Sequence, residues 1–180
     1  MMMMKHFVIA VLFVLIFPVG SFSEEPAARY DRAKNLTFVF YNTENLFDTV
    51  NNQGARDGEF TPGGKNKWTN ERYQKKLADI SKVLGSVNKQ ELPEIIGLCE
   101  TENRSVLNDL VKTGALAKGN YRIVQYESPD YRGIDCALLY RPDEFKVTAS
   151  RAIAVSFPDD PEYSTRDILY VKGKTNNGEN

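Results

Sequence analysis

Histidine is almost missing: the 180-residue sequence has one, His6. It borders an apolar N-terminal run, so the rest of the chain has no imidazole to serve as general base, general acid or metal ligand. Charge of one sign is missing as well. Lys and Arg number 23 against 24 Asp and Glu, a formal net charge of -1. That argues against a module that grips a nucleic-acid backbone through its own positive field. It does not argue against a metal enzyme, because a bound divalent cation supplies the local positive charge a phosphodiester needs. Cysteine is scarce, with only Cys99 and Cys136, and their spacing is not that of a zinc site. Both fall in apolar strand-like runs, and the plainest reading is two buried thiols packing as small hydrophobes. Beyond the initial methionines no repeat or low-complexity tract interrupts the chain.

What is present reads as one soluble globular domain. Apolar residues make up 42%, charged residues 26%, and the mean hydropathy is -0.42, values of a folding chain rather than a disordered one. The N-terminus carries a targeting pattern. Lys5 and His6 precede the apolar run Phe7 to Phe17, Pro18 and Gly20 break it, and Ser21 and Ser23 offer small residues for cleavage. A signal peptide over 1–23, cut after Ser23, is the expectation. The run is too short to span a bilayer comfortably, and no Cys near the cut supports a lipid anchor. The chain is therefore expected to be secreted or periplasmic, free of the membrane once cleaved. Export would make a disulfide chemically possible. Residues 24–35 read as a polar linker and 36–180 as the domain.

Within the domain, Leu36 to Tyr41 (LTFVFY) is rich in aromatic and β-branched residues and predicts a strand. The Gly-bearing stretch from Asp48 to Lys67 predicts a long loop, a length that is often functional. Tyr73, Leu77, Ile80, Leu84 and Val87 recur at helical spacing after a cap at Thr69 or Asn70, with Lys75, Lys76, Asp79 and Lys82 on the opposite side. Further strands are expected at Glu94 to Cys99, Tyr121 to Tyr126, Ile134 to Tyr140, Phe145 to Val155 and Ile168 to Lys172, and a second helix from Ser105 to about Leu116. Early β-α-β-α alternation followed by closely spaced strands predicts an α/β (α+β) fold: a mixed β-sheet with flanking helices on one face.

Two strand ends carry chemistry. Asn42 follows LTFVFY and Glu100 follows EIIGLC. If those strands run parallel, both residues lie on the sheet edge where α/β proteins build ligand sites. Glu is a hard oxygen ligand suited to magnesium or manganese, and Asn can orient water or a phosphate oxygen without adding charge. Spacing alone leaves open that each merely starts a loop.

The local words say more. YNTENLFDT (Tyr41 to Thr49), GLCETEN (Gly97 to Asn103) and SPDYRGIDCALLYRPDEF (Ser128 to Phe145) occur in order, and FTPGGKNKWTNERYQKKL lies between the first two. Together they resemble the endonuclease/exonuclease/phosphatase superfamily, especially its secreted bacterial members, over Leu36 to about Lys172. The resemblance implies two packed β-sheets flanked by helices, of which this chain supplies about half. It implies that Asn42 is the family's first-strand Asn and that Glu100 holds a divalent cation, Mg2+ or Mn2+, against the scissile phosphate. In STRDILYVKG (Ser164 to Gly173), it makes Arg166 the residue facing the phosphate. ALLYRPD (Ala137 to Asp143) resembles the matching strand of pancreatic-type deoxyribonucleases. A substrate-contacting residue, often Tyr, precedes that strand in the family; here Arg132 falls there, a departure from the pattern. Arg132 and Asp135 are then either substrate contacts or a structural ion pair at the strand entrance. Glu102 and Asn103 read as the turn and cap of the second helix, with Glu102 also close enough to the site to support it from behind.

The family's mechanism also needs a His near its C-terminus paired with an Asp, a second His, and an Asp-x-Asn motif that orients the attacking water. None of these words occurs here. The expectation is a domain truncated at its C-terminus, with one sheet face left uncovered and activity lost in the chain alone. The expected parent activity is metal-dependent phosphodiester hydrolysis, a secreted endonuclease first, with nucleic acid or another phosphodiester as partner and no stable protein partner. The alternatives are an inactive fragment or secreted interaction module, or a phosphoinositide, sphingomyelin or nucleotide phosphoesterase.

Overall fold

The computed structural model describes residues 35–176. The expected signal peptide and nearly all of the expected linker lie outside the described residues, as do residues 177–180.

Four strands form the main sheet: β1 (Phe38–Leu46), β2 (Ile95–Thr101), β3 (Arg122–Gln125) and β4 (Asp135–Tyr140), in the order β1-β2-β4-β3. β1 and β2 are parallel and are joined through helix α1 (Asn70–Gly85), the crossover a parallel pair requires. β4 runs antiparallel to both β2 and β3, so the sheet is mixed as expected. β5 (Phe145–Ile153) and β6 (Ile168–Thr175) pair antiparallel as a separate two-stranded sheet.

Helix α1 forms because its apolar residues recur on one stripe and Thr69 caps its start, accepting the Arg72 N–H at 3.4 Å. Tyr73, Leu77, Ile80 and Leu84 pack against Ile96 and Leu98 of β2 and Ala137 and Leu139 of β4 in one core cluster. The second helix, α2 (Arg104–Leu110), adds Val106, Leu107 and Leu110 to it. Fully buried leucines such as Leu77 and Leu107 each contribute about 1.5–3 kcal/mol of hydrophobic stabilisation. Both helices thus cover the same sheet face.

Several boundaries differ from expectation, each for a local reason. α1 ends at Gly85, which leaves Val87 exposed beyond the helix rather than on its buried stripe. α2 stops at Leu110, well before Leu116. Gly114, at φ +52, takes the left-handed conformation that ends a helical run, and Ser81 receives the turn by donating to Thr113 O at 2.7 Å and accepting from Leu116 N at 3.2 Å. β1 runs past Tyr41 to Leu46 because a bulge, not a terminus, follows Asn42.

The sheet face opposite the helices carries Phe38, Phe40 and Gly97. A Cβ on Gly97 would lie 3.0 Å from the Phe40 ring, so glycine lets that ring rest across β2 without being pushed aside. This face and the β6 side of the ribbon border a groove of about 650 Å³.

A candidate functional site at paired strand bulges

The strand ends expected to carry chemistry do not simply terminate; both bulge at the same level. On β2, Cys99 faces Cys136 and Thr101 faces Asp135, so Glu100 is the extra residue against β4. Its φ is +63, a left-handed conformation that costs a side-chain-bearing residue about 1–2 kcal/mol. On β1, Asn42 pairs with Cys99 and Leu46 with Thr101, leaving Thr43, Glu44 and Asn45 as the irregular stretch. Glu44 and Asn45 are also left-handed, at φ +52 and +64.

Local contacts hold these backbones. Asn42 Oδ1 accepts the Glu44 N–H at 2.8 Å, a short side-chain turn that fixes the amide's orientation. The buried Thr43 hydroxyl lies 2.8 Å from Glu100 O and 3.0 Å from Cys99 O, tying one bulge to the other. Lys76 reaches from α1 to donate to Glu44 O at 2.5 Å and Asn45 O at 3.1 Å. Burial lowers the Lys76 pKa from the ordinary lysine value, while the charges of Glu44 and Glu100 work the other way.

Arg166, two residues before β6, completes the group. Its Nη1 lies 3.5 Å from Glu100 Oε1, and neither side chain is fully buried. At that distance the pair is a loose electrostatic contact, readily opened by a ligand. Asn42, Glu100 and Arg166 line the same groove, together with Thr165, Asp167 and a largely apolar set of strand residues.

The other two expected residues lie elsewhere. Arg132 pairs with Asp130, Nε to Oδ1 at 3.3 Å, and not with Asp135. That hydrogen bond raises the guanidinium pKa. Asp135 is buried at 2% exposure; Oδ2 accepts from Gln125 Nε2 at 2.7 Å and Oδ1 from Ser128 N at 2.8 Å. Burial pushes its carboxyl up to about 6, against the opposing effect of those hydrogen bonds. Neither residue lines the Glu100 groove. Asn103 caps α2 as expected, accepting from Ser105 N and Val106 N. Glu102 instead fastens the long loop, accepting from Asp48 N at 2.6 Å and from Asn52 Nδ2. Its carboxyl is pushed up to about 8, by burial first and by Asp48 and Asp57 in addition.

Two contributors were not legible in the sequence. Thr43 had only its adjacency to Asn42 to mark it. Lys76 sat on the nominally polar side of α1, and no periodicity reveals that this side faces the β1 bulge.

The donor set limits what metal could sit here. Among the described residues no group of three or more His, Cys, Asp and Glu side chains is arranged to hold a metal ion. One carboxylate, Glu100, with the Asn42 amide oxygen nearby in the groove, fits a hard cation that keeps several waters and shares its shell with substrate phosphate oxygens, as Mg2+ does. It does not fit a fully protein-enclosed ion.

Comparison with known proteins identifies the family. No curated protein matches the sequence. A crystal structure of an endonuclease/exonuclease/phosphatase family protein from Bacteroides thetaiotaomicron aligns with a TM-score of 0.44 and 18% identity, covering 78% of this chain and 46% of that one. The chain therefore spans about half the length of that solved protein. The sequence model described as "Endonuclease/Exonuclease/phosphatase family" matches residues 37–180, which takes in Asn42, Glu100 and Arg166. By that match, this chain belongs to the endonuclease/exonuclease/phosphatase family.

Proposed function

We propose that this chain carries the metal- and phosphate-holding part of a secreted, divalent-metal-dependent phosphodiesterase, with nucleic acid as the first substrate class. The observation that carries the reading is the Glu100 carboxylate on its bulge, facing Arg166 across a groove that Asn42 also lines. Membership of a hydrolase family supports the reaction class, and resemblance to deoxyribonuclease strand words supports the substrate class.

Glu100 and Asn42 would hold Mg2+ or Mn2+, which supplies Lewis-acid stabilisation of charge developing on the phosphate oxygens. Arg166 offers charge-assisted hydrogen bonds to a phosphate oxygen. It also balances Glu100 when no ligand is present. Thr43 and Lys76 act on the backbone: they hold the two bulges so that the Glu100 and Asn42 side chains enter the groove together. The chain's single histidine, His6, stands in the proposed signal peptide. Outside that segment the sequence offers no imidazole for proton transfer.

Calorimetric titration with Mn2+ tests the reading. The chain should bind Mn2+, and Glu100→Ala should weaken binding at least roughly tenfold, the scale of losing one charged ligand interaction, while circular dichroism stays unchanged. Equal Mn2+ affinity in the folded Ala variant would remove Glu100 from the site.

A further inference from the structure

Cys99 and Cys136 are direct cross-strand partners. They face each other in the antiparallel register of β2 and β4. Opposed residues in such a pair point to the same sheet face, with Cα atoms about 4.5–5.5 Å apart, inside the range a disulfide accepts. The face is the groove face. Both residues line the groove, and both are half-buried rather than enclosed. Neither belongs to the core cluster beneath the helices. Two thiols serving only as small hydrophobes would sit in that core; these sit side by side where a reagent in the groove can reach them. Both are free thiols in the structure.

We propose that Cys99 and Cys136 are a modification site: an accessible dithiol that a small-molecule disulfide converts to an intramolecular cross-strand disulfide. The reaction is two successive exchanges. One thiolate attacks the reagent and releases its first thiol, forming a mixed disulfide. The second cysteine then displaces the reagent's other half, so one S–S bond forms as one is reduced to two thiols and the cysteine protons pass to solvent or to the departing thiolates. The register already opposes the two residues. The product ties β2 to β4 at the residue immediately before Glu100, so the oxidised protein carries its bulge on a covalently fixed pair of strands. This inference is independent of the proposed phosphodiesterase activity.

The test uses the full chain, purified reduced and exposed under native conditions to increasing ratios of oxidised to reduced glutathione. Expected is a monomer lighter by two hydrogens, a tryptic product joining the Cys99 and Cys136 peptides, reversal by dithiothreitol, and a midpoint of thermal unfolding higher by at least about 5 °C, since the link closes a loop in the unfolded chain. In Cys136→Ser the same treatment should leave Cys99 as a glutathione adduct, which reads accessibility apart from pairing. Two free thiols persisting in the fully oxidising mixture, adducts or intermolecular dimers in place of the internal link, or an unmodified Cys99 in the Ser variant would each overturn the proposal.

Discussion

Glu100 is held in a conformation that its own side chain resists, and the residues that hold it are small in number. The Thr43 hydroxyl is in contact with the Cys99 and Glu100 carbonyls, one on each side of the Glu100 Cα. Thr43→Val keeps the shape and removes the donor, leaving buried carbonyl groups short of a partner. We expect a loss of about 1–3 kcal/mol in urea unfolding, together with weaker Mn2+ binding in the folded state. Asp135 makes a different prediction. Its folded pKa of about 6 lies above its ordinary value of 3.8, so the native state binds the proton more tightly than the unfolded chain does. Stability from this group is therefore greatest below about pH 4 and declines as pH rises toward 6. Asp135→Asn should flatten that part of the pH–stability curve, measured by urea midpoints at several pH values. At this scale the sequence was informative about residue types at strand ends. Asn42 and Glu100 were legible because a hard ligand and a neutral amide stood where parallel strands should stop. The partner of Arg132 was not: Asp130 and Asp135 are both near it in sequence, and only the turn through Gly133, at φ +73, decides which one the guanidinium meets.

Elements were read more easily than their ends. The stripe of Tyr73, Leu77, Ile80 and Leu84 and the alternation of β-branched and aromatic residues in β1 each follow from one periodicity. Bulges have no periodicity. β1 was expected to stop at Tyr41, yet it resumes pairing at Leu46 after three irregular residues. The element that makes this possible is α1, through Lys76. The Lys76 ammonium lies over the Trp68 ring, with Nζ 5.7 Å from its centroid, and donates to two carbonyls. Lys76→Met keeps the stem and deletes the donor. It should cost about 1.5–3 kcal/mol, the range for hydrogen bonds from a charged group, and hydrogen exchange should quicken at Glu44 to Leu46 before it does in the helix.

For the whole molecule, the sequence predicted a mixed sheet with helices on one face and an uncovered inner face. The described residues show the mixed sheet with helices α1 and α2 on one face; the other face borders a groove that residues of the β5–β6 ribbon also line. Composition alone could not separate the ribbon from the main sheet, because strand signals do not report which strands share hydrogen bonds. The pairing depends on long-range register, and β4 joins β2 and β3 instead of continuing into β5.

The position of β1 at the margin of the main sheet has a consequence for how the chain keeps company with itself. Among the described residues β1 has a strand neighbour on one side only, and Phe38 and Phe40 stand 59% and 66% exposed on it. The segment from Leu36 to Tyr41 carries no charge and no proline. Short, uncharged, aromatic and β-branched segments on open edges are templates for cross-β growth. Concentrated protein should therefore seed thioflavin-positive fibrils from this strand, and Phe38→Lys should delay their onset while leaving Mn2+ binding at Glu100 intact. If fibrils form with the same lag in the Lys variant, the growth starts elsewhere in the chain.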